Sequence, residues 1–152
     1  MAKSIQYTKI TSVPSQKVTT NELHGRVRIA FAEFEAVSVA ADTVVDMFVL
    51  PNNARIVRGR FTHDNLGSST AAEVGYAAHK KADGTVVALD ANAYKTTAAT
   101  TSAGAVNVAN TIALLENTVI NANEDGQLVT VTFGGSGTYG GTIQLAMTYV
   151  ID

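Results

Sequence analysis

The sequence predicts an all-β chain, an antiparallel β-sandwich or jelly roll, and three observations carry that prediction. Thr, Val and Ile together supply 45 of the 152 residues, and their branched Cβ atoms suit a pleated surface better than a helix. Segments of alternating apolar and polar residues recur along the chain, separated by Gly, Pro and Asn turns. No helical segments alternate with the strands, so βαβ units and a parallel sheet are not expected. Ala is abundant at 23 residues, but it lies among Thr, Ser, Asn and Gly without a 3.6-residue period.

Residues 1–24 are polar and unpatterned, and they read as an extended N-terminal arm ahead of a single β-sandwich domain at 25–152. Such a segment is either a frayed terminus or an arm that orders on a neighbouring subunit. The first strand begins at 26, with Val27, Ile29 and Phe31 on its core side and Arg26, Arg28 and Ala30 outward. Residues 43–50 are apolar on both faces except at Asp46, the pattern of a central strand, and Pro51 ends them. Residues 56–62 alternate again, placing Val57, Gly59 and Phe61 inward and Arg58 and Arg60 outward. A strand over 72–77 turns Ala72, Val74 and Tyr76 to the core.

Asp83-Gly84 signals a turn beside a short strand at 85–89. Residues 90–105, rich in Ala and Thr, read as one or two helical turns behind an Asp90 N-cap. Residues 112–114 and 118–120 read as short edge segments. Alternation is clearest at the end of the chain. Val129, Val131 and Phe133 point inward on one strand, and Ile143, Leu145, Met147 and Tyr149 on another. The glycine-rich loop between them suggests a hairpin.

Composition excludes several classes of function. There is no cysteine, so disulfide scaffolds, Cys-ligated zinc and thiol chemistry are out. A net charge of −2 gives no general attraction to nucleic acid or an anionic membrane. The absence of a long apolar run and of a secretion-type leader predicts a soluble, unexported chain.

The chemical motifs present are weak. Gly135, Gly137 and Gly140 spell G-x-G-x-x-G, but a strand follows them where a dinucleotide site needs a helix N-terminus. Asn121, Asn123, Asp125 and Gly126 match the start of a calcium loop, yet the twelfth position is Thr132 instead of a bidentate Glu. His24, His63 and His79 lie in separate segments without metal-ligand spacing, and Ser38, Ser68, Ser69, Ser102 and Ser136 lack a nucleophile motif. Glu33 and Glu35 share a strand face, where paired carboxylates are ordinarily solvated. No catalytic residue, cofactor or metal is expected.

The arginines stand out, because Arg26, Arg28, Arg55, Arg58 and Arg60 are the chain's full complement and all fall within 35 residues. Arginine's planar donor fork and weak hydration enrich it at protein contacts. Aromatic residues do not interleave with these five, which disfavours nucleic acid. The arginines are either a solvated face balanced by Glu33, Glu35, Asp42 and Asp46 or a protein contact surface; on the second reading the contact residues are these five together with Lys3, Tyr7, Lys9, Pro14 and Lys17 of the arm.

A family resemblance supports this reading. The Leu50-Pro51-Asn52-Asn53-Ala54-Arg55-Ile56 run, the Leu66-Gly67-Ser68-Ser69-Thr70 and Val74-Gly75-Tyr76 segments, and the strand–glycine loop–strand ending all resemble small tailed-phage virion proteins over about residues 42–152. That resemblance implies a capsid decoration, or cement, protein with a jelly-roll body on the outer shell, at or near a symmetry axis. It implies the major capsid protein as partner, a homo-oligomer (dimer or trimer), and location in the virion after synthesis in the host cytoplasm. It transfers no catalytic residue, no cofactor, and neither nucleic acid nor membrane as partner. A tail, baseplate or fibre-associated virion protein is the alternative. A carbohydrate-binding sandwich is a further one, with Tyr94 and Tyr139, both expected in loops, as its only aromatic platform.

Overall fold

The computed structural model describes residues 4–14, 16 and 25–151. Ten strands follow a short helix, α1 (Ile5–Thr11): β1 (Arg26–Val39), β2 (Val44–Leu50), β3 (Arg55–His63), β4 (Thr70–Tyr76), β5 (His79–Lys80), β6 (Val86–Val87), β7 (Asp90–Ala99), β8 (Gly104–Val108), β9 (Gln127–Gly135) and β10 (Tyr139–Ile151). A 3₁₀ turn at Ile112–Leu114 precedes β9.

Eight strands form two antiparallel sheets, β1-β10-β3-β8 and β2-β9-β4-β7, with β5-β6 as a small hairpin. Every pairing of β1 with β10, β2 with β9, β3 with β8, β4 with β7 and β5 with β6 nests inside the one before it. The chain therefore runs as one long hairpin rolled over itself, which is the jelly-roll topology. Alternation does the rest. Phe61, Val74, Val129, Val131, Phe133, Ile143, Leu145 and Met147 are each fully buried between the sheets, and Phe133 stacks on Tyr139 with ring centroids 4.3 Å apart. Burying each such side chain contributes roughly 1.5–3 kcal/mol.

Several expectations are corrected. Residues 43–50 form an edge strand, not a central one: among the described residues β2 pairs only with β9, and its outer apolar residues Val44 and Val49 are exposed. Residues 90–99 are strand β7, because Ala93, Tyr94 and Ala98 bury against the core. Asp90 accepts from the Asn92 amide as a turn would, without starting a helix. The 112–114 segment is the 3₁₀ turn, and Val119 contributes only a single bridge to Arg55. β9 and β10 are not a hairpin. They lie in opposite sheets, and the loop between them crosses the sandwich, leaving β9 at Gly135 with a φ of +91° that favours glycine.

On β3 a register shift sets Arg58 opposite Thr148 but Ile56 opposite Tyr149. This bulge turns Ile56 into the core and leaves Val57 only half-buried. On β4, Gly75 lies so close to β7 that an added Cβ would sit 1.9 Å from the Asp90 carbonyl oxygen.

The described part of the arm is not wholly extended, since Ile5–Thr11 form α1 with Ser4 as N-cap accepting from the Tyr7 amide. Lys3, Lys17 and His24 lie outside the described residues.

Candidate interaction surface

β1 reverses its expected faces. Ala30, Ala32, Phe34 and Ala36 turn toward the core, and Ala36 is 2% exposed. Val27, Ile29 and Phe31 turn out, at 65%, 68% and 59% exposure. Arg26 and Arg28 share the core-facing parity but sit at the exposed start of the strand.

Register places the rest of that outer face. Ile29 lies opposite Thr148, which lies opposite Arg58; Phe31 lies opposite Ala146, then Arg60, then Asn107. Small β10 side chains thus separate an apolar stripe on β1 from two guanidinium groups on β3. Arg58, Arg60, Asn107, Ala146 and Thr148 line a shallow depression of about 280 Å³. Among the described residues the side chains of Arg58 and Arg60 have no ion-pair or hydrogen-bond partner. Further along β1, Glu33 accepts from Gln144 Nε2 at 2.6 Å and Glu35 from Thr142 Oγ1 at 2.5 Å. These carboxylates share one face, as the alternation implies, and bond their β10 neighbours.

Arg55 does something else. Its guanidinium donates to the Asn117 carbonyl at 2.6 Å and anchors the loop after the 3₁₀ turn. Tyr7 and Pro14 are exposed and Lys9 is half-buried, so the described arm residues lie apart from the arginine-bearing face in sequence and in element.

The other chemical motifs resolve into structure. Gly135, Gly137 and Gly140 serve the crossing between sheets, and no helix follows them. In the calcium-like loop, Asn123 Nδ2 donates to Asp125 Oδ2 at 2.6 Å, Asn123 Oδ1 accepts from the Asp125 amide, and Asn121 Oδ1 accepts from the Ala82 amide. The side-chain oxygens hold the turn. Among the described residues no cluster of three His, Asp or Glu side chains could hold a metal. His63 is buried, packs on Phe61 at 5.4 Å between centroids and bonds the Asp64 carbonyl.

Tyr94 and Tyr139, the candidate sugar platform, are both fully buried, in β7 and β10. Neither can stack on a ligand. Tyr139 OH bonds Ala71 and Gly134. Tyr94 OH donates to Gln127 Oε1, and Gln127 Nε2 lies 3.3 Å from His79 Nε2. Burial raises the Tyr94 phenol well above its ordinary value, with a smaller push from Tyr76. Burial and then the Asp90 carboxylate raise Tyr76 too. Sequence reading missed this network, because its members are 33 and 48 residues apart and no local pattern links them.

The same fold occurs in solved phage capsids. A chain from the capsid of Ralstonia phage GP4 superposes with a TM-score of 0.66 at 22% identity, over 84% of this chain and 86% of that one. A chain from the capsid asymmetric unit of cyanophage Pam1 superposes with a TM-score of 0.63 at 14% identity, over 93% and 97%. No protein-family model matches the sequence, and no curated protein does. At these identities the likeness establishes the fold.

Proposed function

We propose that this chain is a structural protein of a phage virion, and specifically a cement protein that binds the outer capsid surface and cross-links major capsid protein subunits as a homo-oligomer. The observation that carries the reading is the match, over nearly the whole of both chains, to chains from two phage capsids. The superposed lengths take in both sheets of the sandwich.

Surface chemistry supports the same reading. The outer face of the β1-β10-β3-β8 sheet pairs exposed Val, Ile and Phe with unengaged arginines, a combination suited to protein contact. The arm, with Tyr7, Lys9 and Pro14, and with Lys3 and Lys17 beyond the described part, adds a second attachment that raises avidity through effective concentration. Neither attachment calls for a catalytic group or a cofactor.

The test is the copy number of this chain in purified particles of the phage that encodes it, measured by mass spectrometry against the major capsid protein. Hundreds of copies in simple ratio to the shell protein are expected. A few to a few tens would move the chain to the tail, baseplate or fibre, and absence would end both virion readings. Arg58→Ala with Arg60→Ala should change stability by less than about 0.5 kcal/mol and weaken attachment to shells stripped of the protein. Undiminished attachment would return the two arginines to a solvated role.

A further inference from the structure

We propose that β1 is a self-association edge: it pairs antiparallel with β1 of a second copy about a two-fold axis through Ile29, joining two β1-β10-β3-β8 sheets into one eight-stranded sheet. This deepens the reading above by naming the oligomer contact, and it rests on that reading only for its biological setting.

The two sheets have four edges, and three are blunted. β8 is five residues long, β2 has a register break between Asp46 and Phe48, and β7 has two breaks along its pairing with β4. Short strands and bulges are how proteins protect edges from pairing. β1 is not short, and its one register break lies near its far end, between Ala36 and Val39. It is 14 residues long, contains no proline or lysine, runs in unbroken register with β10 from Arg26 to Ala36, and pairs with no other strand among the described residues.

The occupant follows from the distribution of charge and size along the strand. β1 is basic at Arg26 and Arg28 and acidic at Glu33 and Glu35. A parallel partner in register would stack arginine on arginine and glutamate on glutamate, whereas an antiparallel copy separates the like charges. A two-fold normal to the sheet preserves its faces, so the axis must pass through a residue. Through Ile29, the outer face pairs Ile29 with its own copy and Val27 with Phe31 twice, three apolar cross-strand pairs. Glu33 then faces Gly25, which presents no side chain. On the other face Arg28 lies across from Ala30 and Arg26 from Ala32, a long stem over a small residue each time. Moving the axis to Ala30 or Phe31 sets Glu33 against Val27 or Ile29. Of these three registers, only the one through Ile29 keeps Glu33 off an apolar side chain.

The chain has no cysteine, so Ile29→Cys adds a lone thiol that reports the axis. Directly opposed residues have Cα atoms about 4.5–5.5 Å apart, inside the roughly 4.4–6.8 Å range of disulfides. The wild-type chain should sediment as a dimer. Ile29→Cys should convert to a disulfide dimer of the same hydrodynamic size under mild oxidation, whereas Val44→Cys on the β2 edge should not. Phe31→Arg should sediment as a folded monomer, and Phe31→Thr should weaken the dimer if the arginine variant does not fold.

A wild-type monomer at the highest attainable concentration overturns the proposal, as does a trimer, or a dimer in which Ile29→Cys stays unlinked. The outcomes separate from those of the particle count. A solution dimer absent from particles keeps the β1 pairing and removes the virion reading, while a monomer present in hundreds of copies does the reverse.

Discussion

Replacing Tyr139 by Phe removes one oxygen atom and tests how the sandwich is closed. The ring belongs to β10 in one sheet, but its hydroxyl reaches into the other, where Ala71 of β4 pairs with Gly134 of β9. There it accepts from the Ala71 amide at 3.0 Å, and its single proton is shared between the Ala71 carbonyl, at 2.7 Å, and the Gly134 carbonyl. Tyr139 is fully buried, so water cannot take over these bonds without opening the sheets. The Phe variant keeps the stack on Phe133 and leaves no large cavity, so the whole effect is the unpaired backbone, about 1–3 kcal/mol. For a chain of this size that is a fall in Tm of roughly 2–12 °C. Urea unfolding should show a lower midpoint at unchanged slope, because the surface exposed on unfolding is the same. Hydrogen exchange should speed up at the Ala71 amide more than at Ala72. A loss below about 0.5 kcal/mol, or an altered slope, would refute the idea that this hydroxyl ties the sheets together.

Two further outcomes follow from the core. Gly75→Ala places a methyl group against the Asp90 and Ala91 backbone and should cost about 3 kcal/mol in chemical unfolding, near the top of the usual overpacking range; a neutral result would mean that β4 and β7 separate freely. Alkaline titration should show the Tyr94 and Tyr76 phenols ionising above the ordinary tyrosine range, because the folded state raises both. With folded pKa values above the unfolded ones, their contribution is complete below about pH 10 and is lost as pH rises through the folded values. Tyr94→Phe should therefore flatten the fall in stability above that pH, and an unchanged slope would contradict the assignment.

Where alternation was unbroken, the strands were legible: β4, β9 and β10 sit close to where their patterns place them, with Ala72, Val74, Val129, Val131, Phe133, Ile143, Leu145 and Met147 buried as expected, while Tyr76 and Tyr149 are half-buried and Val150 takes the core position at the end of β10. Where a bulge interrupts the count, the faces slipped. The extra residue on β3 moved the core position from Val57 to Ile56 yet left Arg58 and Arg60 outward. β7 has two register breaks and a run of Ala and Thr, so its period of two was masked and alanine's helical preference looked decisive. Partners were less legible than strands. β9 and β10 carry the same alternation whether they pair with each other or face each other across a core, and only the nested topology separates these cases. Buried hydroxyls were invisible for a related reason. Tyr94 bonds a partner 33 residues away and Tyr139 bonds Ala71, 68 residues away, across the sandwich, so both looked like loop residues free to touch a ligand.

β1 is the case in which local pattern and fold conflict, and the conflict explains the surface. Its odd positions read Val27, Ile29, Phe31, Glu33, Glu35; its even positions read Arg26, Arg28, Ala30, Ala32, Phe34, Ala36. With no bulge before Ala36, the strand must present one parity to the core along its whole length. Choosing the odd face would bury two carboxylates, each at a penalty of several kcal/mol, and expel Phe34. Choosing the even face forgoes roughly 1.5–3 kcal/mol for each of Val27, Ile29 and Phe31, but only while they stay wet. The carboxylates therefore decide the parity, and the apolar stripe is left outside as its consequence. A solvated strand has no use for Val, Ile and Phe in succession where Thr would keep the same backbone preference. Their presence is accounted for if the stripe is covered in the assembled state, which returns the burial energy that the isolated sandwich gives up.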